Sequence, residues 1–187
     1  MAAYAEAGQC FTFYEIDPAV AQIAADRHLF TYLGDCRGRC EIVPGDARIE
    51  LTRAPHSEFD AVILDAFSSD SIPAHLMTRE ALQLYTDKLK EDGILVFHIS
   101  NRYLNLEPIL ARLAEDAGLV CHSRHDFELS EQEKRDGKLP SQYLVMTRHA
   151  GDLGKLAQNP NWSPVSPPAG TPLWTDDYSD VLSALRW

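Results

Sequence analysis

The chain is poor in basic residues relative to acidic ones. Among its 187 residues, 17 are Lys or Arg and 28 are Asp or Glu, which gives a formal net charge of -11. A nucleic-acid partner is not expected, because a phosphate-binding face needs clustered Lys and Arg side chains. The acidic surface suits either solubility alone or a small polycationic substrate.

Segments that would direct the chain to a membrane are also missing from the sequence. No apolar run approaches the roughly 20 residues that a membrane-spanning helix needs. The Ala-rich residues 1–8 lack the basic start of a signal peptide. We therefore expect a cytoplasmic protein without direct membrane insertion.

Cysteine is scarce, and its spacing carries no clear function. The four cysteines are Cys10, Cys36, Cys40 and Cys121, which match no strong zinc or redox signature. Cys36 and Cys40 lie near His28, but this combination is a weak metal signal. We expect reduced, structural thiols in a cytosolic protein, and no bound metal.

Glycine-rich nucleotide-binding turns are absent, because no Gly-x-Gly occurs in the chain. A nucleoside-binding α/β fold has such a turn after its first strand, roughly 20 residues before the acid that binds the ribose. If this chain has such a fold, that place lies before Met1. Residues 1–7 would then be the remnant of the helix that follows the turn.

What the sequence does contain is an alternation of strand and helix patterns, which predicts a doubly wound α/β sheet. The last two strands, Leu119–His125 and Gln142–Thr147, are joined by the charged segment Glu131–Lys138, which we interpret as an exposed loop. They would form an antiparallel hairpin at one edge of the sheet. The preceding elements are predicted strands at Cys10–Ile16, Cys40–Val43, Phe59–Asp65 and Gly93–Ile99, and predicted helices at Ala19–Tyr32, Ala47–Arg53, Arg79–Lys90 and about 105–117.

Two parts of the chain differ in character. Residues 1–150 carry the alternating pattern and would form one α/β domain, since 45% of the chain is hydrophobic. Residues 151–187 are irregular and rich in Pro, Asn and Ser, and we expect them to pack on that domain as a tail. Within this tail, residues 173–178 return to aromatic and acidic side chains.

The stretch Phe59–Asp65 is the centre of the predicted fold. Its apolar run, Ala61–Leu64, is typical of a strand buried on both faces of a parallel sheet. Asp65 ends the strand, where ligands of open α/β sheets bind, and we expect its carboxylate to be half buried. The alternative is an ordinary helix cap or loop Asp.

Three successive predicted strands end on acids, namely Glu15 with Asp17, Asp46 and Asp65. Because parallel strands deliver their last side chains to one edge, we expect these carboxylates to converge there. An acid after the second strand can accept hydrogen bonds from ribose hydroxyls, and one after the next strand can accept from an adenine amino group. Asp17 also suits a helix cap, so Glu15 is the better ribose ligand. His98 is expected to be packed or hydrogen-bonded near the same edge.

Three motifs resemble those of the spermidine synthase family, an aminopropyltransferase branch of the class I S-adenosylmethionine-dependent methyltransferase fold. They are Tyr14-Glu15-Ile16-Asp17-Pro18, Pro44-Gly45-Asp46-Ala47-Arg48 and Phe59-Asp60-Ala61-Val62-Ile63-Leu64-Asp65. The resemblance covers roughly residues 10–147, with an echo at residues 175–178. It implies a Rossmann-like sheet, mostly parallel, with an antiparallel C-terminal hairpin and with its first strand missing.

The resemblance also implies roles for single residues in polyamine biosynthesis. Glu15, with Asp17 beside it, would hold the ribose of S-adenosylmethionine or of its decarboxylated form. Asp46 would bind the adenine amino group, and Ala47 would lie beside the ring. Asp65 would orient and deprotonate the attacking amine or polyamine, and no metal is required because the sulfonium is already activated.

One position departs from the family pattern. The family has a second Asp three positions after the catalytic one, and this chain has Ser68 there. Asp70, or Asp176 and Asp177 from the tail, are the candidates to replace it at the substrate.

Alternatives to an aminopropyltransferase therefore stay open. One is a methyltransferase that uses S-adenosylmethionine itself, and another is a truncated domain without catalysis. If the first strand is missing, its neighbours must pair directly, accept a strand from another molecule, or expose their edges. A homodimer or an upstream segment would meet that need.

Overall fold

The computed structural model describes residues 1–65, 73–101 and 103–185, and it divides the chain into two compact units, Met1–Ala54 and Pro55–Trp187. The first unit contains β1 (Cys10–Glu15), α1 (Pro18–Ala25), β2 (Arg39–Pro44) and α2 (Ala47–Thr52). The second unit contains β3 (Phe59–Leu64), α3 (Arg79–Lys88), β4 (Leu89–His98), α4 (Glu107–Asp116), β5 (Val120–Asp126), α5 (Glu131–Arg135), β6 (Ser141–Thr147) and β7 (Ser163–Pro164). Short 3-10 helices lie at Ala2–Tyr4, Ala74–Leu76, Ala150–Gln158 and Leu182–Ala184.

The first unit is built on a parallel pair of strands. β1 and β2 pair in register from Cys10 opposite Arg39 to Glu15 opposite Pro44. Helix α1 begins at Pro18 and ends at Ala25, so the prediction that it continues to Tyr32 is wrong. The Asp26 side chain accepts the His28 N–H at 2.8 Å, and this local bond competes with further helical turns.

The second unit contains a five-stranded sheet in the order β3-β4-β6-β5-β7. β3 and β4 are parallel, whereas β6 pairs antiparallel with both β4 and β5. Together with the parallel β1–β2 pair, this arrangement confirms the predicted α/β, Rossmann-like class with an antiparallel C-terminal hairpin. The segment predicted as a loop between β5 and β6 instead contains α5, because Ser130 and Glu133 form a capping box at its start.

Burial of β3 differs from the prediction. Leu64 is buried, but Ala61 is exposed and 41% of Ile63 is exposed, so the strand is not buried on both faces. Alternate side chains of a strand point to opposite faces, and only the face that carries Leu64 packs into the core. The apolar run therefore identified the strand correctly but not its surroundings.

The core of the second unit lies where helices α3 and α4 and the tail pack on the sheet. Trp174 is 0% exposed, and its backbone oxygen accepts the N–H of Arg79 at 2.9 Å. Further along the tail, Leu185 forms an isolated antiparallel bridge with Leu104. Other fully buried side chains of this core are Leu82, Leu95, Phe97, Leu110, Leu113 and Leu144. The tail thus packs within the second unit, while a domain boundary near residue 150 stays a prediction.

The cysteines also depart from the prediction. Cys36 and Cys40 form a disulfide, so the expectation of four reduced thiols is wrong for this pair. The disulfide joins Cys36, which precedes β2, to Cys40, the second residue of β2. Cys10 is an exposed free thiol, and Cys121 is a buried one.

No helix in the described ranges combines the length and the apolar character that crossing a membrane requires.

We expect Trp174→Ala to destabilise the second unit strongly. Removing a fully buried indole from a core typically costs about 3–5 kcal/mol, because the cavity is only partly filled by relaxation. Within the described part of the chain, the Trp174 Nε1 atom is buried without a hydrogen-bond partner. Trp174→Phe removes that unpaired N–H and should cost clearly less. Urea unfolding followed by circular dichroism measures the free energy of unfolding of both variants. Equal losses of stability in Trp174→Ala and Trp174→Phe would show that the aromatic ring does not stabilise the core.

The native chain should offer one rapidly reacting thiol. Burial, and then the nearby Glu107 charge, raise the pKa of Cys121 to about 12, so at about pH 8 it stays in the unreactive thiol form. Exposed Cys10 should be alkylated by iodoacetamide within the native protein. Mass spectrometry should find one adduct in the native state, two in denaturant and four after reduction in denaturant. Four adducts in denaturant without reductant would mean that Cys36 and Cys40 are reduced.

Candidate functional site

The two acids that follow the parallel strands of the first unit lie close together. Glu15 ends β1 opposite Pro44, and the N–H of Gly45 donates to the backbone oxygen of Glu15 at 2.9 Å. Asp46 follows immediately. Within this unit, the predicted ribose and adenine ligands are therefore neighbours at the carboxyl end of one parallel pair.

The turn between β2 and Asp46 requires a glycine at position 45. Its φ of +133° is unfavourable for residues with a side chain, and a Cβ there would lie 2.9 Å from the Glu50 Cγ. Gly45 thus permits the tight turn that leads from the end of β2 at Pro44 to Asp46, the cap of α2.

Glu15 has a side chain that is oriented by the backbone. It is half-buried, and its Oε1 accepts the N–H of Asp17 at 2.9 Å. Within the described ranges, no hydrogen bond reaches its Oε2. A carboxylate with one oxygen fixed and one available suits the hydroxyl groups of a ribose.

Asp17 has the capping role that the sequence offered as its alternative. Its Oδ1 accepts the N–H of Ala19 at 2.8 Å at the start of α1, and the side chain is exposed. Its backbone N–H orients Glu15. The structure therefore gives Asp17 a supporting position beside the ribose ligand predicted from the sequence.

Asp46 is half-buried and caps α2. Its Oδ1 accepts the N–H groups of Arg48 at 2.8 Å and Ile49 at 3.2 Å. Ala47 is the first residue of α2 and is also half-buried. A carboxylate has about four acceptor positions, so these capping bonds do not by themselves exclude a further hydrogen bond to Asp46.

The predicted catalytic acid of the second unit is hydrogen-bonded to a histidine. Leu64 pairs with Phe97, so the next residues, Asp65 and His98, lie side by side at the ends of β3 and β4. The His98 Nδ1 atom lies 2.6 Å from the Asp65 Oδ1 atom. The Asp65 side chain is 67% exposed, so the expectation of a half-buried carboxylate is wrong.

His98 has two further partners that sequence reasoning missed. Its Nε2 atom lies 2.6 Å from the Ser100 Oγ atom. Its ring stacks on Tyr143, with centroids 4.6 Å apart and planes 17° from parallel. Ser100 could have been found from its place two residues after His98, on the same side of an extended chain. Tyr143 lies on β6, and no local signal points to it.

The pKa of Tyr143 depends in part on the charge of Asp65. Burial raises the pKa of the Tyr143 phenol, the Asp65 charge raises it further, and Arg124 acts in the opposite direction. Tyr143 therefore stays protonated around neutral pH and remains a neutral stacking partner for His98.

The candidate acids that would replace the missing family Asp have different positions. Asp70 lies outside the described residues. Asp176 accepts a hydrogen bond from the Thr78 hydroxyl at 2.7 Å, and its N–H donates to Glu80 at 2.9 Å. Asp177 is exposed in the turn closed by Thr175 and Tyr178.

Asp176 therefore lies at the start of α3. The other end of this helix lies near the start of β3, because the N–H of Ser57 donates to the backbone oxygen of Asp87. Since α3 runs back along the sheet, its start, and with it Asp176, lies toward the carboxyl end of β3 where Asp65 is found.

The predicted acids fall in two units, Glu15, Asp17 and Asp46 in the first and Asp65, Asp176 and Asp177 in the second. That acids of both units share one edge stays a prediction. Among the described residues, no three His, Cys, Asp or Glu side chains are grouped as metal ligands would be.

No family model matches the chain. A curated relative, the polyamine aminopropyltransferase of Vibrio vulnificus (strain CMCP6), is 40% identical over 84 residues, which cover 44% of this chain. The match spans only 27% of that protein.

Solved structures resemble this chain in fold. A probable spermidine synthase from Corynebacterium glutamicum ATCC 13032 matches with a TM-score of 0.57 at 13% identity, covering 90% of this chain and 64% of that one. The spermidine synthase from Thermotoga maritima matches with a TM-score of 0.53 at 16% identity, covering 94% of this chain and 56% of that one. Human methyltransferase-like protein 13 in complex with SAH matches with a TM-score of 0.50 at 18% identity, covering 80% of this chain and 68% of that one. The chain has a spermidine synthase-like class I methyltransferase fold.

Proposed function

We propose that this chain acts as a spermidine synthase-like transferase, which moves an aminopropyl group from decarboxylated S-adenosylmethionine to an amine. The observation that carries the proposal is the position of Asp65. Its exposed carboxylate lies at the end of a parallel strand, and its Oδ1 atom is 2.6 Å from the His98 Nδ1 atom. The identity to a polyamine aminopropyltransferase supports the same reaction class. An excess of acidic residues, with a net charge of -11, favours a cationic substrate over an anionic one.

The first unit would bind the nucleoside. Glu15 would accept hydrogen bonds from the ribose hydroxyls through its available Oε2, because Oε1 is already bonded to Asp17. Asp46 would accept a hydrogen bond from the adenine amino group, and Ala47 would pack against the ring. These residues fit a nucleoside, since they offer acceptors to its hydroxyl and amino donors and no basic group is required.

Asp65 would prepare the amine for attack. A protonated amine has no lone pair, so a carboxylate must first bind the ammonium group and then accept its proton. The amine nitrogen forms a bond to the terminal methylene of the aminopropyl group while the carbon–sulfur bond breaks. The bonding electrons move to the sulfonium sulfur, which leaves as a neutral thioether. The amine loses one proton in all, the one that Asp65 accepts, and the product nitrogen carries the positive charge.

The acceptor end of the site would include Asp176. This residue lies at the start of α3, fixed by Thr78 and Glu80, toward the same end of the β3 strand as Asp65. A second carboxylate at that end would bind the far ammonium group of a diamine. It would thereby replace the Asp that the family has where this chain has Ser68.

We expect Asp46→Asn to weaken nucleoside binding about 10- to 100-fold, the usual effect of losing a hydrogen bond to a charged group. The Asn oxygen must still accept the α2 capping bonds, so its amide N–H₂ would face the adenine amino group, donor against donor. Calorimetric titration with methylthioadenosine measures the effect. Asp26→Asn, which changes an exposed acid of the same unit, is the matched control.

Equal affinities for wild type and Asp46→Asn would overturn the adenine assignment. Titration of the wild type with S-adenosylmethionine and its decarboxylated form separates the alternatives. Preference for S-adenosylmethionine would favour a methyltransferase, and no nucleoside binding at all would favour a domain without catalysis.

Asp65→Asn should retain nucleoside affinity and lower the rate of aminopropyl transfer about 10²- to 10⁴-fold, the usual contribution of a general base. Asp60→Asn is the control, because Asp60 lies on the same strand and forms an exposed ion pair with Lys90 that contributes little to stability. Product formation from a panel of diamines and polyamines is measured by mass spectrometry. Undiminished transfer by Asp65→Asn would remove this residue from the mechanism.

A further inference from the structure

A line of polar side chains crosses the end of the sheet in the second unit. His98 on β4 pairs directly with Tyr143 on β6, and Tyr143 pairs with Arg124 on β5. Directly paired residues share a face of the sheet, so these three side chains lie on one face. Asp65 continues the line beyond β4 through its bond to His98.

The hydrogen bonds along this line have a definite direction. The backbone N–H of Gln142 can only donate, and Ser100 Oγ accepts it at 2.8 Å. Ser100 Oγ keeps a second acceptor position and one donor hydrogen, so the direction of its 2.6 Å contact with His98 Nε2 depends on where the imidazole carries its proton. An ionised carboxylate can only accept, so the 2.6 Å contact with Asp65 places a proton on His98 Nδ1, and a neutral imidazole then accepts the Ser100 hydroxyl hydrogen at Nε2.

The ring of His98 is also held by packing. Tyr143 stacks on it at a centroid distance of 4.6 Å, which fixes the ring plane, and the His98 side chain is 27% exposed against 67% for Asp65. An exposed Asp side chain has several accessible rotamers in solution. The bond from His98, whose ring is itself held by Ser100 and Tyr143, favours one of these rotamers.

We propose that His98 is the positioning residue for Asp65, which it holds as a neutral Nδ1–H donor at the end of a chain from Gln142 through Ser100. One Asp65 oxygen is used by this bond, and the other is left to bind the substrate ammonium group. The kinetic part of this inference rests on the proposed function, while the geometric part does not. His98 does not touch the reacting atoms and acts through Asp65.

Two substitutions distinguish the contact of His98 Nδ1 with Asp65 from the contact of its Nε2 with Ser100. In His98→Asn the amide nitrogen lies near the place of Nδ1 and can still donate to Asp65. In His98→Gln the amide extends to the place of Nε2, keeps the contact with Ser100 and loses the donor to Asp65. We expect His98→Gln to lower kcat of transfer about 10²-fold, as displacement of a catalytic group does. His98→Asn should stay much closer to wild type, and both should retain methylthioadenosine affinity.

A spectroscopic measurement tests the geometry without any activity. Long-range ¹H–¹⁵N spectra of the wild-type chain should show His98 as the Nδ1–H tautomer, with its signals assigned by their loss in His98→Asn. Asp65→Asn and Ser100→Ala should shift it toward the Nε2–H tautomer that free imidazoles prefer. The exposed His56 provides the internal control and should not respond.

The outcomes are distinguishable. If the tautomer is Nδ1–H and responds to Asp65→Asn, but the wild type transfers nothing to any amine, then the proposed function fails and the His98–Asp65 arrangement stands. An Nε2–H tautomer that ignores Asp65→Asn would overturn the positioning role. So would equal transfer rates for His98→Gln and His98→Asn.

Discussion

The register that pairs β4 with β3 on one side and with β6 on the other determines both the core and the candidate site of the second unit. Leu64, Phe97 and Leu144 are paired across these strands and are almost completely buried. The next residue on β4 is His98, which points to the opposite face. A register slip by one residue would exchange these faces. The burial of the apolar side chains therefore stabilises the arrangement that brings His98 to Asp65.

Local chain chemistry explains which parts of the site could be predicted from the sequence. Glu15 and Asp46 follow strands whose apolar pattern is evident, and the Asp-Pro and Pro-Gly-Asp turns after them are set by neighbouring residues. Their closeness in the first unit needed only parallel pairing. Asp65 was identified for the same reason, since it directly follows an apolar strand.

The features that escaped prediction depend on distant or competing interactions. Tyr143 reaches His98 only through the antiparallel pairing of β6, which no local pattern determines. The early end of α1 follows from a side chain bond of Asp26 that competes with the helix. The exposure of Ile63 depends on what covers a strand, and the strand's own residues carry no information about that.

The tail is joined to the second unit by contacts that do not depend on an unbroken chain. Trp174 is fully buried, and its backbone oxygen accepts the N–H of Arg79 at the start of α3. The backbone oxygen of Ala184 accepts the N–H of Asn105. Between the sheet and these anchors, Ala169 and Gly170 are exposed. A protein nicked between these two residues would therefore remain a noncovalent two-fragment complex. This part of the chain is thus a natural position for splitting the protein into complementing halves.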